Sequence, residues 1–318
     1  MEYRKLISFG KSSYVVSLPK PWVRHNKLKK GDLIYIDEKE NSLMLSPRPE
    51  SKDEHKKIII NVDGKDIYLL QRELISAYIG NYRKITFNGK ELAEKSEKLL
   101  DLIRKQIALE VIELDSNQIV AKDFLNMDEV SVVELIHKMD LIVRYMLKDT
   151  SKSFTEKNAS NIALRDDDVN RLSFLVYRVV RYGLNNQSKF LKIHNLGASD
   201  LFNSYWITLH LEIIADESKR SSRIIETLSL SKKHRQEFIE ILNHAEEFYI
   251  EAMKCYYNND TGRAFELSTW KNPLMVKIDQ FVNMLKGDKD IIGISNLSFR
   301  MKRMVGSIHE LQRFVYQK

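Results

Sequence analysis

The sequence predicts a multidomain α+β protein: a β-hairpin module at the N-terminus, a small α/β domain in the middle, and a C-terminal all-α region of two three-helix bundles. Three observations carry this expectation. Short β-rich runs cut by Gly and Pro fill residues 1–50, strand and helix patterns alternate over 51–127, and helical periodicity alone runs through 128–318.

In the first stretch the runs "LISF", "SYVVSL", "DLIYID" and "SLMLS" are divided by Gly10, Pro19, Pro21, Gly31 and an "EKEN" turn at 38–41. Pro21 suits the first position of a helix, so "PWVRHN" is expected to form one short helical turn. Four of the five prolines, at 19, 21, 47 and 49, mark the folds and the exit of this module. Hairpins this small make a poor core alone, and dimerisation would remedy that.

Residues 51–127 read as β-α-β-α-β-β. "KKIIINV" is a strand, "DIYLLQRELISAYIG" a helix ending at Gly80, and "RKITFNG" a strand. "KELAEKSEKLLDLIRKQI" follows as a helix, and "LEVIELD" with "QIVAKDF" forms a hairpin around Ser116–Asn117. No chemical motif lies here, and a connecting or dimerising role is expected.

From 128 onward apolar residues recur at helical spacing, as in Leu172, Leu175, Val176, Val179 and Val180. The pattern predicts six helices, near 128–149, 155–187, 198–229, 232–258, 261–286 and 290–317, with Pro273 kinking or starting part of the fifth. Long helices joined by short links pack as antiparallel bundles, which gives two three-helix repeats.

Charge is unevenly placed. Residues 1–31 hold eight lysines and arginines against one acid, Glu2, a surplus of +7 that equals the net charge of the whole chain. A basic head on a neutral body is the footprint of a nucleic-acid contact. The single cysteine, Cys255, excludes an internal disulfide and a cysteine-based zinc site. No run approaches the roughly 18 apolar residues of a membrane span, and no signal-peptide order opens the chain, so a cytoplasmic protein without membrane insertion is expected. The eight histidines include no H-x-x-x-H pair, "FGKSS" lacks the upstream glycine of a P-loop, and no nucleophile elbow or dinucleotide fingerprint occurs. An enzyme is not expected.

The stretch "RKLISFGKSSYVVSLPKPWVRHNKLKKGDLIYIDEKENSLMLSP" resembles the AbrB-like swapped-hairpin DNA-binding family in its "LPKxW", "GD" and "L.L.P" elements. The resemblance implies two chains that interlace their hairpins into one barrel-like homodimer whose basic residues face DNA. Gly31, Asp32, Leu18, Pro19 and Trp22 are then fold residues, and Arg4, Lys5, Lys11, Ser12, Ser13, Lys20 and Arg24 are the expected DNA contacts, the hydroxyls serving as phosphate donors. Family members also serve as antitoxins or pure dimerisers, so the fold alone leaves DNA binding open.

Two segments of the body, "RDDDVNRLSFLVYRVVRYGL" and "NLGASDLFNSYWITLHLEIIADESKRSSRII", resemble the PhoU family of phosphate-uptake regulators. In that family an acidic pair commonly holds a divalent metal or iron, which implies a metal at Glu212 and Asp216. Carboxylates at i and i+4 share a helix face and repel unless a cation lies between. Arg220, four residues beyond Asp216, offers an ordinary helix ion pair instead, with help from Lys219 or Arg223. The second acidic pair expected of the other repeat is missing, since Lys302 and Gly306 stand there. Asp167 is expected as a solvated first-turn acid of the preceding helix. Together the resemblances imply a DNA-binding transcriptional regulator of phosphate homeostasis, its body in contact with a transporter ATPase or a sensor kinase. The alternative is a protein–protein adaptor controlling phosphate transport, with a head that only dimerises.

Overall fold

The computed structural model describes residues 3–39, 42–47 and 56–316. Glu40 and Asn41 of the expected turn, Pro49, and the expected boundary at 50–51 lie outside the described residues. The chain forms two compact units, residues 1–54 and 55–318. The boundary expected at 127 falls within the second.

In the first unit, β1 (Ile7–Phe9) and β2 (Ser13–Val15) pair antiparallel, with Ile7 opposite Val15. Gly10 turns the chain between them at φ +72°, a conformation that costs a glycine little. Helix α1 (Lys20–His25) carries Pro21 in its first turn, as expected. Asn26 closes it, its Nδ2 donating to the Trp22 carbonyl at 2.9 Å. The "GD" turn follows: Asp32 accepts from the Lys29 amide at 2.7 Å beside Gly31 at φ +95°. A second antiparallel pair, β3 (Tyr35–Lys39) and β4 (Ser42–Ser46), completes the unit.

No described residue of residues 3–47 is buried. Trp22, expected as a fold residue, and Leu28 are only half-buried in the single chain, while Leu33 is 74% exposed, Tyr14 70% and Phe9 69%. Two short hairpins with their apolar side chains in water are not a stable arrangement.

The second unit begins with a mixed sheet. Strands β5 (Lys57–Asn61), β6 (Lys84–Asn88), β7 (Leu109–Leu114) and β8 (Gln118–Asp123) lie in the order β5-β6-β8-β7, with only the β5–β6 pair parallel. Helix α2 (Ile67–Ile79) makes the β5–β6 crossover and α3 (Leu92–Arg104) links β6 to β7, which is the expected β-α-β-α-β-β order. Asp66 caps α2 by accepting from the Leu69 amide at 2.7 Å, and Gly80 ends it. Leu70, Leu74, Ile85, Phe87 and Ile119 form the core of this layer.

Among the described residues eight helices follow: α4 (Val132–Lys152), α5 (Ala159–Asn185), α6 (Gln187–His194), α7 (Ala198–Ile225), α8 (Lys232–Asn258), α9 (Thr261–Leu267), α10 (Lys271–Met284) and α11 (Ile291–Tyr316). Helices α4, α5 and α7 pack as one three-helix bundle, α8, α10 and α11 as a second, and α7 lies along α11 to join them. One of the six expected helices, 261–286, is split into α9 and α10, and α6 is an added helix in the 188–197 stretch expected as a link. Asn186, at φ −125° and ψ 46°, leaves the helical region and restarts the chain as α6. Pro273 starts rather than kinks its helix, since the first N–H groups of α10 have no intrahelical partner to lose.

One buried network ties the α/β layer to the first bundle. The Arg178 side chain of α5 is fully buried, and its guanidinium grips Asp123 at the end of β8, with Nη1 3.0 Å from Oδ1. Its Nε donates to Asn81 Oδ1 at 2.9 Å, and the guanidinium lies 4.6 Å from the Tyr78 ring centre. Arg83 shares Asp123 and donates to the Leu125 carbonyl at 2.6 Å.

Candidate nucleic-acid interface and the acidic pair

The expected DNA contacts fall in three places on the head. Arg4 and Lys5 stand at the open end of the β1–β2 hairpin, where Arg4 donates to Ser17 Oγ at 3.4 Å. Lys11 and Ser12 lie in its turn with Gly10, Ser13 opens β2, and Lys20 and Arg24 lie at i and i+4 on α1, hence on one helix face. All seven side chains are exposed. Ser13 differs from expectation in its hydroxyl, which donates to the Phe9 carbonyl at 2.6 Å and closes the hairpin turn. That proton is therefore engaged within the head. A hollow of about 490 Å³ lies behind the "GD" turn, bordered by Leu28, Leu33, Tyr35 and Pro47.

In the body, Glu212 and Asp216 do share a face of α7, but their surroundings differ from a metal site. Glu212 accepts a hydrogen bond from the Tyr177 hydroxyl at 3.1 Å, and burial pushes its carboxyl above the ordinary range. Asp216 pairs with Lys219 at 3.0 Å and with Arg220 at 2.5 Å. Lys219 reaches across to Asp166 of α5 as well. Burial works against the charge of Lys219, yet its bonds to Asp166 and Asp216 outweigh that and hold its pKa above the usual value. The Lys219 ammonium thus bridges the carboxylates of Asp166 and Asp216. Among the described residues no group of three or more His, Cys, Asp or Glu is placed to hold a metal ion. The residues present do not favour a metal at Glu212 and Asp216, because Asp216 is already paired with Lys219 and Arg220 and Glu212 is buried against the Tyr177 hydroxyl.

Asp167 lies in the third turn of α5, exposed, rather than in its first. Its neighbour Asp166 is the acid that matters, 1% exposed and facing Lys219, with burial raising its carboxyl pKa. Sequence reasoning also missed Glu217, which is fully buried and met by Arg220, Arg300 and Arg303. Burial pushes its carboxyl up despite these three cations. Its signal was faint: a carboxylate on the apolar side of α7, between Ile214 and Ser218.

Residues 7–53 match the family model described as antidote-toxin recognition MazE, bacterial antitoxin. Among solved structures the chain is similar to PhoU from Pseudomonas aeruginosa, with 14% identity and a TM-score of 0.45 over 58% of this chain and 93% of that one. No curated protein is a significant match. Among the described residues no helix is long and apolar enough to cross a membrane. The chain joins a head similar to the MazE antitoxins, of the AbrB-like kind, to a mixed sheet and a helical body of two three-helix bundles.

Proposed function

We propose that the protein is a cytoplasmic, homodimeric DNA-binding regulator of phosphate uptake, with a head that grips duplex DNA and a helical body that receives the signal. The observation that carries this reading is the state of the head. Its residues 1–31 carry a surplus of +7, none of its described residues is buried, and its apolar side chains face water. A second copy would cover those side chains and fill the hollow beside Leu33, leaving Arg4, Lys5, Lys11, Ser12, Lys20 and Arg24 outside. A two-fold head would double the cations offered to a pseudo-palindromic site, held mostly through phosphates. The link to phosphate, and contact with a transporter ATPase or a sensor kinase, rest on the sequence resemblance of the body. The neutral body suits protein contact better than DNA contact.

A gel shift with genomic operator fragments tests the reading. Replacing Lys5, Lys11 and Arg24 together by Ala should abolish the shift while sedimentation still reports a dimer. Undiminished binding would sink the proposal, and flat titrations at low salt for the unaltered protein would favour the adaptor role.

A further inference from the structure

Three arginines converge on one buried carboxylate where the two bundles meet. Glu217 of α7 is fully buried, and within 3.6 Å of its oxygens stand Arg220 of the same helix and Arg300 and Arg303 of α11. The closest, Arg303 Nη1, is 2.8 Å from Oε1, and Arg300 Nη1 is 3.5 Å from Oε2. The arginines lie above the acid and reach solvent, with side-chain exposures of 41% for Arg220, 27% for Arg300 and 43% for Arg303.

This layering has a chemical consequence. Each guanidinium offers five N–H donors, while one carboxylate has about four lone-pair sites, so most of the donors are left for something else. Charge is also unbalanced: three cations face one anion, and Asp216, on the far side of Arg220, offsets only one more. Like charges held this close cost energy unless an anion joins them. We propose that Arg220, Arg300 and Arg303 form an oxyanion site for a phosphate group, with Glu217 beneath them as the positioning residue. Guanidinium forks match phosphate and carboxylate alike. Three forks from two helices around one point suit a tetrahedral group with three or four oxygens better than a planar carboxylate with two. A phosphate group, with roughly one and a half to two negative charges near neutral pH, also matches the surplus. The site would give the helical body a ligand of its own, and because it spans α7 and α11, occupancy would bias how the two bundles pack.

The inference goes beyond the DNA-binding reading, and its test uses no DNA, so either can fail while the other stands. The full chain is titrated calorimetrically at constant ionic strength with inorganic phosphate and, separately, with ATP, and its thermal melting is followed in each. Saturable heat and a rise in melting temperature are expected. Response to inorganic phosphate assigns free phosphate as ligand, and response to ATP alone assigns the phosphoryl groups of a nucleotide. The double variant Arg300→Lys with Arg303→Lys keeps charge and bulk but loses the forks, and should bind at least tenfold more weakly. Lys302→Ala, on the same helix and paired with Asp279, should bind as the unaltered protein does. Three results would overturn the site: no response to either anion, unchanged affinity in the double lysine variant, or an equal loss in Lys302→Ala.

Discussion

Arg178 and Asp123, 55 positions apart, form a two-pronged ion pair with neither side chain in contact with water. It is the bolt between the helical bundle and the α/β layer. Burying two charges is costly, and their mutual attraction recovers that only when the geometry is good and the remaining donors are met. Here they are met, by Asn81, Arg83 and the face of Tyr78. Arg178→Met should therefore destabilise the protein by about 3 kcal/mol, the low end for a broken buried pair, because the buried Asp123 carboxylate keeps only the partly exposed Arg83. Adding Asp123→Val to it should recover most of that loss. Urea unfolding of the two variants checks the pair, and equal losses would show that packing rather than charge is responsible.

The head predicts a coupling between apolar surface and assembly. Leu33 is 74% exposed in the single chain, and burying such a side chain contributes about 1.5–3 kcal/mol. In a two-fold interface each substitution counts twice, so Leu33→Asp should weaken the dimer by at least 3 kcal/mol, roughly a hundredfold in dissociation constant. Sedimentation velocity over a concentration series measures this. Far-ultraviolet circular dichroism should stay helical, since the bundles have their own core.

Much of the architecture could be read from local chemistry. Gly80 and Pro273 punctuate helices, and the "GD" and "LPKPW" runs place a turn and a proline-started helix. What escaped the sequence depends on contacts between distant residues. Arg178 stands inside an apolar stripe, between Val176 and Val179, but an arginine in a helix pattern reads as solvated until Asp123 is brought to it. The spacing of Glu212 and Asp216 placed them on one face, yet only the approach of α5 reveals that Asp166 shares Lys219 with Asp216. The exposure of the head's basic residues Arg4, Lys5, Lys11, Lys20 and Arg24 was legible because it follows from charge. The inward turn of Ser13 was not, because it depends on the backbone at Gly10.

Glu212 predicts a pH effect with a definite sign. Burial raises its carboxyl pKa above 4.5, so over the acid range the folded chain holds a proton there that the unfolded chain has released. Stability from this group is then full below the unfolded value and lost as pH rises through the folded one. Glu212→Gln removes that loss while keeping an acceptor for Tyr177. Its urea midpoint should gain on that of the unaltered protein as pH rises from 4 to 7. A constant difference across that range would refute the assignment.

Lys11 offers the sharpest test of how the head meets DNA. It sits in the hairpin turn beside Ser12, exposed, and is not near any acid in sequence. A lysine that neutralises a phosphate releases a counterion, and each such contact on duplex DNA adds about 0.9 to the slope of log affinity against log salt. A dimer presents Lys11 twice, so Lys11→Ala should lower the slope by about 2. The loss should be the same on any sequence, because phosphate contacts position a protein without reading bases. Fluorescence anisotropy between 50 and 200 mM salt, on an operator and on a scrambled duplex, measures both quantities. A slope that does not change would place the Lys11 turn away from the duplex, and a loss confined to the operator would make it a reader of base edges instead.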